Sequence, residues 1–348
     1  MPYWINIIVS LLSFALAGLL GIWLVPFLHR IKFGQPIKVQ DGPKWHEKKQ
    51  GTPTMGGFMF IISTLVCLVA GYCLYRWKCG INITEKENIN SALTVLSCLI
   101  FSLLFALLGF IDDYIKVAKK DNHGLTPKQK MILQFLFGGA FLGALYAFGD
   151  TSTVIDLSFI SFDIGLFYYP LMVVVIIYLT NAVNLTDGVD GLCGTVTFVS
   201  MLVFTVACSI FKFSELSIFT MAVAGGCLGF LLWNFNPAKC FMGDTGSMFL
   251  GASVTAVGLV LHKHLLLLLV SLVYILEALS VVIQVLYFKY TAKKHLKETG
   301  EAGKGKRIFK MTPIHHHFEL SGYSEYKIVI TFSLFGLVAG ILGIMSVL

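Results

Sequence analysis

The sequence has little charge: Asp, Glu, Lys and Arg together make up 13% of its 348 residues, about half the share usual in a soluble protein. So small a polar complement cannot clothe a water-soluble globule, which excludes ordinary soluble enzymes and binding modules. None of the eight cysteines forms a C-x-x-C pair, which excludes the common zinc frames and a disulfide scaffold. Cys67, Cys98, Cys208 and Cys227 fall in apolar runs, where they behave as small hydrophobes. No basic stretch precedes the first apolar run, and Arg30 and Lys32 follow it, so a cleaved signal peptide is not expected. Internal repeats and low-complexity tracts are missing too, which leaves no basis for a solenoid.

What the chain has is hydrophobic length. Hydrophobic residues make up 56% of it, in runs near the roughly 20 residues that span a bilayer as a helix. Ten such segments are read at 3–28, 55–75, 92–111, 131–148, 167–183, 192–211, 217–235, 247–262, 265–288 and 327–348. The expected fold is an all-α integral membrane protein of about ten transmembrane helices, a single polytopic membrane domain over 1–348 with its active site in cytoplasmic loops. With both termini outside, 21 of the 26 Lys and Arg fall in cytoplasmic loops and 5 in outer ones, the asymmetry of the positive-inside rule. The net charge of +7 is read as this orientation signal, and no nucleic-acid partner is expected. The longest outer loop, 149–166, alternates through Thr153, Ile155, Leu157 and Phe159, which predicts a short β-hairpin lying on the membrane.

Polar residues gather at the cytoplasmic ends of the segments, where acids beside lipid are costly and are kept for function. Asp112-Asp113-Tyr114-Ile115-Lys116 closes the third segment. Asp112 and Lys116 are four apart and can pair on a helix, so a plain interfacial ion pair is one reading; two adjacent acids beneath the run 92–111 favour a functional one. Asn181, Asn184, Asp187 and Asp190 recur at intervals of three within NAVNLTDGVDGL. Helix-end capping is the plain alternative, but amides and acids without a Lys or Arg among them read better as ligands for magnesium, which prefers oxygen. In Phe241-Met242-Gly243-Asp244-Thr245-Gly246-Ser247 an acid between glycines opens a helix. Helix N-termini attract phosphate, unless Asp244 is only an N-cap.

Three consecutive histidines, His315, His316 and His317, cannot all face one way, so they read as phosphate contacts or proton carriers rather than a zinc site. The stretch from Lys48 to Gly57 is either a charged turn or a cradle of Lys, hydroxyls and backbone N–H groups for an anion. Residues 300–307 imitate a P-loop, but Arg307 stands where Ser or Thr must be. Asn82-Ile83-Thr84 matches a glycosylation acceptor over three residues only. Glu277 and Gln284, inside the ninth segment, should face protein or a groove rather than lipid. Acids for a divalent cation and bases for phosphates in a membrane frame favour phosphoryl transfer from a soluble anionic donor to a lipid acceptor. An ion-coupled transporter is the alternative from another class, but it would hold its acids near the bilayer midplane.

Six motifs in order, KKQGTPTMGG (48–57), DDYIK (112–116), GLTPKQK (124–130), NAVNLTDGVDGL (181–192), NFNPAKCFMGDTGS (234–247) and PIHHHFE (313–319), resemble those of the bacterial phospho-N-acetylmuramoyl-pentapeptide-transferases. These form a glycosyltransferase 4 family within the polyprenyl-phosphate N-acetylhexosamine-1-phosphate transferase superfamily. The resemblance spans essentially the whole chain. It implies transfer of phospho-N-acetylmuramoyl-pentapeptide from UDP-MurNAc-pentapeptide to undecaprenyl phosphate, giving lipid I and UMP, the first membrane step of peptidoglycan synthesis. It further implies Mg2+, a homodimer, and a multi-pass protein of the bacterial cell membrane with a cytoplasmic active site.

Carried over residue by residue, the resemblance makes Asp112, Asp113, Asp244 and His316 catalytic. Asp244 becomes the magnesium ligand with Asn184 as a second, Asp112 the base for the lipid phosphate, and Asp113 its orienter or the metal's. Lys116 and Lys130 become diphosphate contacts. Lys49, Thr54, Asn181, Asp187 and Asp190 line the donor site, Phe241 stacks on uracil near Asn234, and His315, His316 and His317 close over the donor. One-step attack by the lipid phosphate and a two-step route through a covalent aspartyl intermediate both stay open; one step is favoured because the phosphate is already anionic. A sister branch transferring GlcNAc-1-phosphate is the alternative within enzymes, and GTPTMGG and HHHFE argue against it.

Overall fold

In the computed structural model, which describes residues 3–31, 49, 51–80, 85–119, 124–299 and 305–348, every apolar run becomes helix. Helices α1 (Tyr3–Arg30), α2 (Phe58–Cys79), α3 (Lys86–Lys119) and α4 (Pro127–Ala147) lead to an antiparallel hairpin, β1 (Val154–Asp156) with β2 (Ser161–Asp163), in which Val154 faces Asp163. Then come α5 (Tyr168–Thr186), α6 (Leu192–Ile210), α7 (Ser214–Asn234) and α8 (Gly243–Val260). The short α9 (His264–Val270), α10 (Leu272–Thr299), the short α11 (Ile314–Glu319) and α12 (Glu325–Val347) follow. Lys48, Asn82-Ile83-Thr84 and residues 300–304 of the P-loop imitation lie outside the described residues.

The protein is an all-α integral membrane protein. Among the described residues nine helices are long and apolar enough to cross a bilayer, one fewer than the ten runs. The exception is α8, from the run 247–262. Its 18 residues are buried over nearly their whole length, with Gly, Ser and Thr interleaved. A helix surrounded by protein need not offer lipid a uniformly apolar face, so α8 lacks the hydropathy of its neighbours. Two further boundaries differ. The run 265–288 divides at Ser271 into α9 and α10, and α10 continues past it to Thr299, carrying exposed Lys289, Lys293, Lys294 and Lys297. The third run, read as ending at 111, continues as α3 to Lys119, so the Asp112–Lys116 motif is helical, as its spacing of four implied.

At the centre α8 packs along α3 and α5, and α7 along α1, α2 and α6. Lipid tails are as apolar as leucine, so helices in a bilayer associate through close packing and polar contacts. Ser13 Oγ on α1 donates to the Ala222 carbonyl on α7 at 2.6 Å, Asn6 Nδ2 donates to Ser217 Oγ at 3.1 Å, and Ser253 Oγ on α8 donates to Ser102 Oγ on α3 at 3.0 Å. At the periphery Leu11, Leu19 and Trp23 on α1 and Ile330, Leu334 and Leu342 on α12 are exposed. Such stripes would aggregate in water but match a hydrocarbon surround. This packing brings the end of α3, the end of α5 and the start of α8 to one end of the bundle.

Candidate active site

Four charged side chains from three helices meet at that end. Lys116 Nζ lies 2.7 Å from Asp112 Oδ2 and 2.9 Å from Asp244 Oδ2, and Lys130 Nζ lies 2.8 Å and 3.3 Å from the same two oxygens. Each ammonium bridges both carboxylates, so the charges cancel. Without such pairing these ions would pay a penalty of several kcal/mol each for leaving water. Lys130 is aimed by the start of α4, where Thr126 and Gln129 form a reciprocal capping box and Pro127 fills the first turn. The loop before it is tied in by Leu125 N, which donates to Asp112 Oδ1 at 2.7 Å.

Asp113, fully buried beside Asp112, turns toward α8. Its Oδ1 accepts from Asp244 N at 3.2 Å, and its Oδ2 accepts from Thr245 N at 2.9 Å and Thr245 Oγ1 at 2.8 Å. The N-cap residue of α8, Met242, makes no side-chain cap bond. Asp113 therefore supplies the acceptors that the first N–H groups of α8 need, and its negative charge suits the positive end of the helix dipole. The two helices come this close because position 109 is glycine: a Cβ there would sit 2.1 Å from the Asp244 carbonyl oxygen. Asn184, near the end of α5, completes the group. Its Nδ2 donates to Asp244 Oδ1 at 3.0 Å and to Ser247 Oγ at 2.8 Å.

Burial works against the Asp244 carboxylate, but the charges of Lys116 and Lys130 and the hydrogen bond from the Asn184 amide outweigh it and hold the group below the ordinary carboxylate range. Asp187, the C-cap of α5, goes the other way. Burial, reinforced by the carboxylates of Asp244, Asp113 and Asp190, pushes it well above its ordinary value. Thr54 is buried close by, its hydroxyl within 2.7 Å of where a Cβ on Gly243 would lie.

Other expected residues form a second network beside the first. Lys49 Nζ lies 2.7 Å from Asp190 Oδ1 and 2.8 Å from Glu325 Oε2. Burial alone would lower the Lys49 pKa, but the two carboxylates raise it above the ordinary value. Asp190 Oδ2 accepts from Asn236 Nδ2 at 3.2 Å and Ala238 N at 2.9 Å. Asn234 joins the Gly191 N–H to the Cys240 carbonyl. Phe241 is held by its backbone, which pairs with Pro53 and Gly56, leaving its ring half-buried. Asn181 is not part of either network: its amide exchanges hydrogen bonds with Gln134 of α4, at 2.9 Å and 3.3 Å.

The three histidines take different partners, although the rings of His315 and His316 touch edge to face, their centroids 4.1 Å apart. His315 Nδ1 lies 3.0 Å from Glu277 Oε2 inside the bundle, His316 Nδ1 lies 2.5 Å from Glu319 Oε2, and His317 Nδ1 accepts from Lys310 N at 3.1 Å. Gln284 accepts from Ile308 N and Phe309 N, which holds the chain leading to them. Glu277 and Gln284 thus face protein. Sequence reasoning passed over Glu325 and Gln134, and named Thr245 and Ser247 in the Asp244 motif without giving them a role. Glu325 reads from the sequence as an ordinary acid in a first helical turn; Gln134, an amide in an otherwise apolar helix, was the stronger signal.

Among the described residues no group of three or more His, Cys, Asp or Glu is arranged to hold a metal ion. The donor set offers instead one carboxylate, Asp244, beside Asn184, whose Nδ2 lies 3.0 Å from it and whose Oδ1 is the atom that would take a cation. Magnesium commonly takes one or two carboxylates and completes its octahedron with water and substrate phosphate. An open site of that kind fits these residues; an all-protein cage does not.

The helical membrane frame agrees with comparisons to known proteins. Residues 95–262, which carry Asp112, Asp113, Asn184 and Asp244, match glycosyl transferase family 4, so the class is a multi-pass membrane transferase. Over 335 residues the chain is 42% identical to a phospho-N-acetylmuramoyl-pentapeptide-transferase of Halalkalibacterium halodurans, covering 96% of this chain and 95% of that one. It is 39% identical over 345 residues to the Shouchella clausii protein of the same name, covering 99% and 98%. Against the Listeria monocytogenes protein of that name it is 42% identical over 326 residues, covering 93% and 92%. The chain belongs to the phospho-N-acetylmuramoyl-pentapeptide-transferase family.

Proposed function

We propose that this chain transfers phospho-N-acetylmuramoyl-pentapeptide from its UDP carrier to undecaprenyl phosphate at the cytoplasmic face of a bacterial cell membrane, releasing UMP and leaving lipid I. The observation that carries the reading is the neutral square of Asp112, Asp244, Lys116 and Lys130. A donor diphosphate supplies the negative charge that Lys116 and Lys130 draw from the carboxylates here. Once the lysines turn to it, Asp112 is free to take a proton from the lipid phosphate, and Asp244 to hold a cation together with Asn184. When bound, magnesium neutralises the diphosphate and the charge that develops as the phosphoanhydride breaks. Asp113 keeps the α8 N-terminus, and so Asp244, in place. Lys49 ties the loop before α2 to Asp190 and α12, and Phe241 offers an uncommitted ring beside that loop for a base to stack on.

Purified protein given undecaprenyl phosphate and magnesium should release UMP from UDP-MurNAc-pentapeptide and none from UDP-GlcNAc. Asp244→Ala and magnesium-free samples should be inactive. Release from UDP-GlcNAc would reassign the chain to the sister branch, and none from either donor, with folded protein, would sink the reading.

A further inference from the structure

Among the described residues, Glu277 and His315 form the most deeply buried acid–base pair. Their side chains are 0% and 1% exposed, and Glu277 Oε2 lies 3.0 Å from His315 Nδ1. The same oxygen takes the His315 backbone N–H at 3.4 Å. The far atom of each group, Glu277 Oε1 and His315 Nε2, is buried with no hydrogen-bond partner. Native proteins rarely leave two such atoms in one pair unless the site uses them. His315 Nε2 is aimed at the α5–α6 turn: a Cβ on Gly188 would lie 2.3 Å from it. Gly188 follows Asp187, the carboxyl that burial and the Asp244, Asp113 and Asp190 carboxylates act upon. The ring, carried on α11 and held by Glu277 of α10, therefore reaches the α5–α6 turn from two helices that contribute nothing to the charged square.

We infer that Glu277 is a positioning residue for the transfer: it holds the Nδ1–H of His315, so that Nε2 is the ring atom presented to the bound sugar-phosphate donor. The inference rests on the proposed function and deepens it. In either protonation state Nδ1–H is committed to Glu277. A neutral ring then offers the Nε2 lone pair to a donor hydroxyl or amide, and a charged ring offers Nε2–H to a phosphate oxygen. A carboxylate that fixes the tautomer of an active-site imidazole is the arrangement that hydrolases use to aim a histidine. Gln284, seven residues further along α10, holds the Ile308 and Phe309 N–H groups, so one helix steadies both the strap and its histidine.

The test is a double-mutant cycle with Glu277→Gln, which keeps the shape of the side chain, and His315→Gln. Each single variant should lower kcat about 100-fold with the KM for UDP-MurNAc-pentapeptide changed less than about 2-fold, and the double variant should be no slower than either. Effects that multiply, or full activity in Glu277→Gln, would overturn the assignment. A readout that needs no turnover keeps the two readings apart should the parent prove inactive. In 15N-histidine spectra the resonance lost in His315→Gln should show Nδ1 protonated in the parent, and should change in Glu277→Gln. A proton found only on Nε2 would end the proposal.

Discussion

Asp113→Asn separates a chemical role from a positioning one. In the parent the carboxylate accepts three hydrogen bonds from the first turn of α8, at 3.2, 2.9 and 2.8 Å, and is fully buried. Asparagine keeps one acceptor oxygen, and its NH2 must face an N–H or hydroxyl group. A hydrogen bond to a charged acceptor is worth about 1.5–3 kcal/mol net, and the helix-end charge adds up to ~2 kcal/mol where partly buried. Such terms overlap, so a loss of about 3 kcal/mol is expected. At roughly 2–4 °C per kcal/mol for a large domain, detergent-purified Asp113→Asn should melt ~6–12 °C below the parent. UMP release should fall but survive at low temperature, because Asp244 is loosened rather than removed. An Asp113→Asn protein that melts with the parent and yet releases no UMP would refute the reasoning and return Asp113 to the substrates.

Two further outcomes follow from the same geometry. The raised Asp187 pKa means that the folded state holds this proton more tightly than the unfolded chain does. Stability should therefore fall as pH rises from the ordinary carboxylate value toward the raised one. Asp187→Asn should flatten that limb of the melting-temperature profile, and an unchanged limb would count against the carboxylate crowding. Gly109→Ala places a Cβ 2.1 Å from the Asp244 carbonyl oxygen, backbone that cannot yield as a side-chain tip can. It should destabilise by about 1–3 kcal/mol and lower UMP release, whereas Gly139→Ala, where a Cβ meets nothing within 4 Å, should do neither.

The membrane helices were readable because a bilayer selects for composition over a short window, and no tertiary knowledge is needed to recognise twenty apolar residues in a row. The Asp112–Lys116 pair was readable for a similar reason, since four residues on a helix bring two side chains together whatever surrounds them. Other roles were not. Asn181 shares its spacing with Asn184, yet it pairs with Gln134 of α4, because which neighbour a helical face meets depends on packing rather than period. Asp113 looks from the sequence like a twin of Asp112, but adjacent helical residues point about 100° apart, and the second acid meets α8 instead of the lysines.

By itself the sequence determined that the chain lives in a membrane, that it is helical, and that its acids, amides and bases collect in a few short motifs. Hydropathy and local spacing are properties of neighbours along the chain. Only the tertiary structure decided which motifs join. Lys130 reaches Asp244 across 114 residues, Lys49 reaches Glu325 across 276, and His315 finds Glu277 across 38. Those meetings depend on how closely α3, α8 and α10 approach their neighbours, and close approach is set by side-chain volume and shape across an interface, information that no single segment contains.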